Sequence, residues 1–92
     1  GAPVIRTELT IINKLGLHAR AASKFVSCAS RFSAKIRVAK DGQWADGKSI
    51  MSVMMLAAGQ GTVLELEIDG ADEQKAHRAL EELIGDYFGE GE

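Results

Sequence analysis

The sequence has few of the residues that cross-link a chain or bind metal ions. Cys28 is the only cysteine, so no disulfide can form within the chain, and only two histidines are present. Together these residues provide no set of four ligands at the spacing that zinc sites use. We therefore expect no redox centre, no metal ion and no cofactor.

Long apolar runs and a large charge of one sign are also absent. No run approaches the roughly 20 apolar residues that cross a bilayer, and the N-terminus lacks the basic and apolar segments of a signal peptide. The formal net charge of -2, with both signs interspersed, provides no basic field for nucleic acid. We expect a cytoplasmic location, protein partners, no nucleic-acid binding and no membrane insertion.

What the sequence does contain is typical of one folded domain. Hydrophobic residues make up 46% and charged residues 26% of the 92 residues, which argues against disorder and against a fibrous protein. This length suffices for one core but not for two. We predict a single domain over residues 1–92, with flexible ends at 1–3 and 89–92.

Alternation of apolar and polar residues predicts four strands. The first covers residues 4–12 and the second 34–38, and an Asp-Gly turn then leads into a short third strand that carries Trp44. The fourth covers 64–68. Because each strand has one apolar and one polar face, we expect an antiparallel or mixed sheet with all helices on its apolar side.

Helical spacing of apolar residues predicts three helices, which gives the order βαββαβα. One helix begins at or beside His18, after turn residues at 13–16. A helix of about ten residues follows Ser49, which is a natural N-cap, and a long C-terminal helix carries apolar residues up to Tyr87. The expected fold class is therefore α+β.

His18 lies between a glycine turn and an alanine-rich helical segment. A histidine at such a place can simply be a partly exposed polar residue. However, the first N–H groups of a helix have no partner inside the helix and carry partial positive charge, which favours an anion such as phosphate. The same charge disfavours a protonated imidazole, so we expect His18 to keep a lone pair free.

Two neighbours of His18 also suit a phosphate group. Arg20 provides a guanidinium whose planar fork matches phosphate oxygens, and Gly16 allows a sharp turn that brings the backbone close. A neutral imidazole needs no general base to attack phosphorus. These residues predict a phosphoryl group that is attached reversibly to His18.

Two motifs resemble those of a known family. GLHAR at residues 16–20, followed by GKSIMSVMML at 47–56, is similar to the HPr family of histidine-containing phosphocarriers of the bacterial sugar phosphotransferase system. The resemblance extends from Val4 to about Phe88. It departs at one position, because Ala21 stands where the family usually has proline. Alanine keeps its N–H and favours a helix, so we expect the helix start to survive.

The resemblance implies both a fold and a function. The fold is an open-faced β-sandwich with a four-stranded antiparallel sheet and three helices on one face. The function is to accept a phosphoryl group from phosphorylated enzyme I, which takes it from phosphoenolpyruvate, and to donate it to EIIA domains of sugar permeases. His18 would carry the group on Nδ1, with Arg20 stabilising the phosphate. Such a protein is a carrier rather than an enzyme for small molecules, and we expect a monomer.

Ser49 allows two interpretations. As an N-cap it satisfies a free helix N–H and contributes on the order of 1 kcal/mol of stability. The resemblance implies a second role, because GKSIM is similar to the site at which HPr kinase/phosphorylase modifies some members of the family on serine. A phosphate there would add charge beside an apolar surface and would change partner binding more than the fold.

The helix after Ser49 also carries apolar residues with two possible fates. Ile50, Met51 and Met54 can belong to the core, or they can form an adaptable surface near His18 that several protein partners share. Three basic residues are expected to border that surface: Arg20, Lys24 and Lys48.

Two alternative functions are consistent with the same residues. A nitrogen-branch paralogue, called NPr, uses the same histidine chemistry for regulation rather than for sugar uptake. A plain α+β interaction module would have no phosphate chemistry, and its histidine would be incidental. Ser49 within GKSIM favours the sugar branch.

Overall fold

Four strands and three helices are present in the computed structural model, which describes residues 4–92. The expected flexible end at residues 1–3 lies outside the described residues. The strands are β1 (Ile5–Thr10), β2 (Lys35–Lys40), β3 (Gln43–Asp46) and β4 (Val63–Asp69). The helices are α1 (Ala19–Ala29), α2 (Ile50–Met55) and α3 (Glu73–Gly85). None of the helices in residues 4–92 combines the length and the apolar character that a membrane-spanning segment needs.

The strands form one sheet in which every neighbouring pair is antiparallel. Their order across the sheet is β1-β4-β2-β3. The central strand β4 pairs Leu64 with Leu9 of β1, and Leu66 with Val38 of β2. This open sheet, together with the βαββαβα order, confirms the predicted α+β fold with four antiparallel strands and three helices.

The core lies between one face of the sheet and the helices. In β4, the side chains of Leu64 and Leu66 are buried, whereas those of Val63 and Glu65 are exposed, as strand alternation predicts. Each helix supplies a fully buried apolar side chain to the same cluster: Phe25, Val53 and Leu80. Burial of each such side chain contributes about 1.5–3 kcal/mol. The helices are therefore held on the apolar face by the side chains whose spacing predicted them.

Helix α2 is shorter than the sequence pattern predicts. It ends at Met55, and Ala57 takes a left-handed backbone conformation with a φ of 52°. After this reversal, the Ala58 carbonyl accepts a hydrogen bond from the Leu17 N–H at 2.8 Å. The apolar pattern continues through Leu56 and so gives no sign of this end. Because α2 ends early, the loop after it is hydrogen-bonded to the segment that leads into α1.

The C-terminal segment differs from the sequence prediction, which placed Tyr87 on the apolar face of the last helix. That prediction is wrong, because α3 ends at Gly85 and a short turn follows at Tyr87–Gly89. Tyr87 and Phe88 both have left-handed backbone conformations, with φ of 58° and 53°. The change of direction buries Phe88 completely and leaves Tyr87 exposed. The free energy gained by burying Phe88 thus offsets the conformational cost of two residues with left-handed backbones.

We predict that Phe88→Ala lowers the free energy of unfolding by about 3–5 kcal/mol, because it leaves a cavity at a fully buried aromatic position. Tyr87→Ala is the matched control, since it removes the neighbouring aromatic ring from an exposed position and is expected to cost about 0.5 kcal/mol. Urea unfolding of the three proteins gives both values. Equal losses for the two variants would contradict the burial of Phe88.

Candidate functional site

The turn between β1 and α1 is held by hydrogen bonds at both of its ends. The Gly16 N–H donates to the Asn13 carbonyl at 3.2 Å, and the Asn13 side-chain Nδ2 donates to the Gly16 carbonyl at 2.9 Å. Gly16 has a φ of +69°, and a Cβ atom added there would lie 2.6 Å from the Ala58 carbonyl oxygen. Glycine is therefore required by both the conformation and the close approach. The next residues enter α1 in a fixed direction.

His18 is the N-cap residue of α1. Its backbone is extended, with φ -68° and ψ 177°, and its side chain makes no capping hydrogen bond to the helix. The Ala22 N–H donates to the His18 carbonyl at 2.8 Å and closes the first turn. The preceding amides of the helix have no acceptor within it, so the positive end of α1 lies beside the imidazole. The His18 side chain is 30% exposed and is therefore accessible to a partner.

Arg20 and Lys24 lie on the same side of α1 as His18 and line one surface depression with it. Arg20 is exposed. The Lys24 Nζ donates to the Phe88 carbonyl at 2.6 Å, which connects α1 to the C-terminal segment. The structure thus brings together three of the site residues predicted from the sequence. An imidazole, a guanidinium, an ammonium and a helix N-terminus form an environment that favours a phosphate group.

Glu90 contacts His18, a contact that the sequence did not predict. One carboxylate oxygen, Oε2, is hydrogen-bonded to His18 Nε2, and the other, Oε1, accepts a hydrogen bond from Asn13 Nδ2 at 2.9 Å. The Glu90 side chain is only 13% exposed. Residues 89–92 were expected to be flexible, and no local signal in this glycine-rich segment indicates a contact 72 residues away along the chain.

The Glu90 carboxylate is favoured in its ionised form. The Asn13 amide and, to a lesser degree, the His18 ring donate hydrogen bonds to it, and they hold the pKa of Glu90 below its ordinary value against the opposing effect of burial. Asn13 itself is fully buried, and its Oδ1 has no hydrogen-bond partner among residues 4–92. Its Nδ2 connects the turn before α1 to the side-chain carboxylate of Glu90.

Ser49 is the N-cap of α2, as the sequence predicts. Its Oγ accepts a hydrogen bond from the Ser52 N–H at 3.3 Å, and its side chain is half-buried. The opposite end of α2 is the one that continues to Ala58 and its hydrogen bond with Leu17. Ser49 therefore lies at the end of α2 opposite the one that is hydrogen-bonded, through Ala58, to the turn before α1.

The three apolar residues of the α2 surface (Ile50, Met51, Met54) are exposed, and Met51 has the highest exposed fraction at 72%. Val53, which lies between them in sequence, is buried in the core. The ammonium group of Lys48 donates to the Phe32 carbonyl at 2.7 Å. Lys48 is not among the described residues that line the depression around His18.

Ala21 occupies the position at which the resembling family usually has proline. Ala21 is fully buried in the first turn of α1, and the helix begins at Ala19. The helix start therefore survives, as expected. Within residues 4–92, no group of three or more histidine, cysteine or acidic side chains is arranged to hold a metal ion.

Known proteins are similar to this chain in both sequence and fold. Residues 5–86 match a family model described as PTS HPr component phosphorylation site. A protein of Neisseria meningitidis named Phosphocarrier protein HPr is 57% identical over 97% of this chain and 100% of its own length. A protein of the same name from Pseudomonas aeruginosa is 58% identical over 92% of this chain and 96% of its length.

A solved structure supports the same relationship. The crystal structure of HPr-C-His from Thermoanaerobacter tengcongensis superimposes with a TM-score of 0.90 at 46% sequence identity. The match covers 94% of this chain and 97% of that one.

The lowered pKa of Glu90 predicts how its contact with His18 and Asn13 depends on pH. A carboxyl group whose pKa is lower in the folded than in the unfolded protein stabilises the fold when it is ionised. This stabilisation is fully present above the ordinary pKa, here 4.5, and is lost as the pH falls through the lower pKa of the folded protein. We expect the Glu90 carboxyl carbon, followed by NMR, to titrate with an acid midpoint below 4.5. A midpoint at or above that value would contradict the hydrogen-bonded carboxylate.

Proposed function

The chain belongs to the HPr family of phosphocarrier proteins of the phosphotransferase system, and from this premise we propose its place in phosphoryl transfer. It accepts a phosphoryl group on His18 from phosphorylated enzyme I and donates the group to EIIA domains of sugar permeases. The observation that carries this proposal is the partly exposed imidazole at the N-terminus of α1. The protein acts in the cytoplasm as a monomer.

The site supplies what a reversible carrier needs. The lone pair of an imidazole nitrogen attacks the phosphorus atom, and the bond to the donor side chain breaks with its electron pair returning to the donor. The amides at the start of α1 and the Arg20 guanidinium stabilise the negative oxygens of the transferred group. Because Arg20 is exposed, solvent screens its attraction for the phosphoryl oxygens, so its contribution to their stabilisation is modest.

The α2 surface is proposed as the contact area for the partner proteins. Methionine side chains are flexible and adapt to differently shaped apolar surfaces, which suits a carrier that docks with enzyme I and with several EIIA domains. Arg20 and Lys24 add positive charge in the depression around His18, which favours acidic partner surfaces and faster association. Lys48 adds a further positive charge next to Ser49 at the start of α2.

Phosphorylation of Ser49 by an HPr kinase/phosphorylase is proposed as regulation of this docking. A phosphate on Oγ would remain at the start of α2, where unpaired amides favour it, so the fold is expected to be retained. It would place about two negative charges next to Ile50 and Met51, and these charges disfavour an acidic, apolar partner surface.

The function is tested by phosphoenolpyruvate-dependent labelling. Incubation with phosphoenolpyruvate and enzyme I is expected to add the mass of one acid-labile phosphoryl group, and His18→Ala is expected to abolish the addition. No labelling of the wild-type protein would contradict the carrier function and would favour a plain interaction module. Subsequent transfer to a sugar-type EIIA, rather than to a nitrogen-type EIIA, distinguishes the sugar branch from an NPr-type role.

Regulation at Ser49 is tested with a pair of N-cap variants that differ only in charge. Aspartate and asparagine both cap helices well, so Ser49→Asp and Ser49→Asn should leave thermal stability nearly unchanged. We expect Ser49→Asp to slow phosphorylation by enzyme I about tenfold, the equivalent of about 1.4 kcal/mol, while Ser49→Asn keeps the wild-type rate. Equal rates for the two variants would argue against Ser49 as a switch.

A further inference from the structure

The C-terminal segment after α3 is held in place by three separate contacts. Phe88 is fully buried and anchors the segment in the core. The Phe88 carbonyl accepts a hydrogen bond from the Lys24 ammonium group at 2.6 Å, and the Lys14 N–H donates a hydrogen bond to the main-chain oxygen of Glu92 at 3.1 Å. Between these contacts, Gly89 has a φ of 75°, which turns the chain so that Glu90 meets the imidazole. These contacts hold the Glu90 carboxylate against the His18 ring.

The hydrogen bonds of the Glu90 carboxylate determine which ring nitrogen of His18 carries hydrogen. An ionised carboxylate only accepts hydrogen bonds, so its contact with Nε2 requires a hydrogen on Nε2. In the neutral imidazole, the lone pair is then on Nδ1. Asn13 Nδ2 fixes the second carboxylate oxygen at 2.9 Å, so the carboxylate is held in place.

We propose that Glu90 is a positioning residue for phosphoryl transfer, which holds His18 as the Nε2–H tautomer and presents Nδ1 as the nucleophile. This inference rests on the proposed function of His18 as the phosphoryl carrier. The family match ends at residue 86, so Glu90 lies beyond the residues that the match covers. The contact itself, rather than the relationship to known proteins, assigns the role.

The transfer step balances without movement of a proton. The Nδ1 lone pair forms the N–P bond, and the bond from phosphorus to the phosphorylated side chain of the donor protein breaks, with its electron pair returning to the donor. Nε2 keeps its hydrogen throughout, so the ring gains positive charge as the N–P bond forms. The Glu90 carboxylate at Nε2 offsets that charge, while Arg20 and the start of α1 are available for the phosphoryl oxygens.

Glu90→Gln provides a sharp test, because Asn13 dictates how a glutamine amide can orient. The amide oxygen must face the Asn13 donor, so its NH₂ group faces His18 Nε2. A hydrogen on Nε2 then meets another donor, and the Nδ1–H tautomer is favoured. The lone pair needed for attack is lost from Nδ1, although the size of the side chain is unchanged.

Glu92→Gln is the matched control, because it removes an equal charge from the same segment without removing the carboxylate that contacts His18. Nitrogen-15 NMR of the imidazole in the free proteins reports the tautomer, and labelling with phosphoenolpyruvate and enzyme I reports the transfer rate. We expect Glu90→Gln to shift the ring toward the Nδ1–H form and to slow transfer roughly tenfold or more. Glu92→Gln should match the wild type in both measurements.

Three outcomes would overturn the positioning role. They are an unchanged tautomer in Glu90→Gln, an unchanged transfer rate in that variant, and an equal slowing in Glu92→Gln. A merely structural role would slow transfer without changing the tautomer, and so falls under the first outcome. If the wild-type protein accepts no phosphoryl group at all, the proposed function fails instead, and the nitrogen-15 spectra still decide whether Glu90 sets the tautomer.

Discussion

The site depends on one tight turn, residues 13–18, whose geometry is set by the buried side chain of Asn13. Its Nδ2 donates to Gly16 within the turn and to Glu90 from the C-terminal segment. The hydrogen bond from Leu17 to Ala58 fixes the same turn from the side of α2. Segments that are distant in sequence therefore meet at the start of α1. Both acceptors of Nδ2 need to be in place together, because a buried polar group without a partner is costly and the Oδ1 of Asn13 already has none among residues 4–92.

This arrangement gives the two nitrogens of the His18 ring different environments. Nε2 contacts a carboxylate that is largely shielded from solvent, whereas the positive groups near the ring are the start of α1, Arg20 and Lys24. A carboxylate in contact with the ring, together with positive groups in the same depression, suits the proposed role, in which the ring becomes cationic as it binds a phosphoryl group.

Much of the fold follows from local sequence patterns, because strand alternation and helical spacing reflect which side chains face the core. The positions of His18, Arg20 and Ser49 at helix starts were predictable for a related reason, because turn and capping residues mark those starts in the local sequence. Tyr87 was misplaced because its spacing continues the helical pattern, whereas burial of Phe88 reverses the chain. Glu90 could not be predicted, because an acidic residue in a glycine-rich end gives no sign of a partner 72 residues away.

The central claim is that His18 presents Nδ1 for phosphoryl transfer while Glu90 occupies Nε2. The most direct measurement is the one-bond coupling between phosphorus-31 and nitrogen-15 in the phosphorylated, isotopically labelled protein. Our account predicts coupling to Nδ1 of His18, together with an Nε2 that retains its hydrogen. Coupling of phosphorus to Nε2 would contradict it, because the phosphoryl group would then take the place of the Glu90 carboxylate.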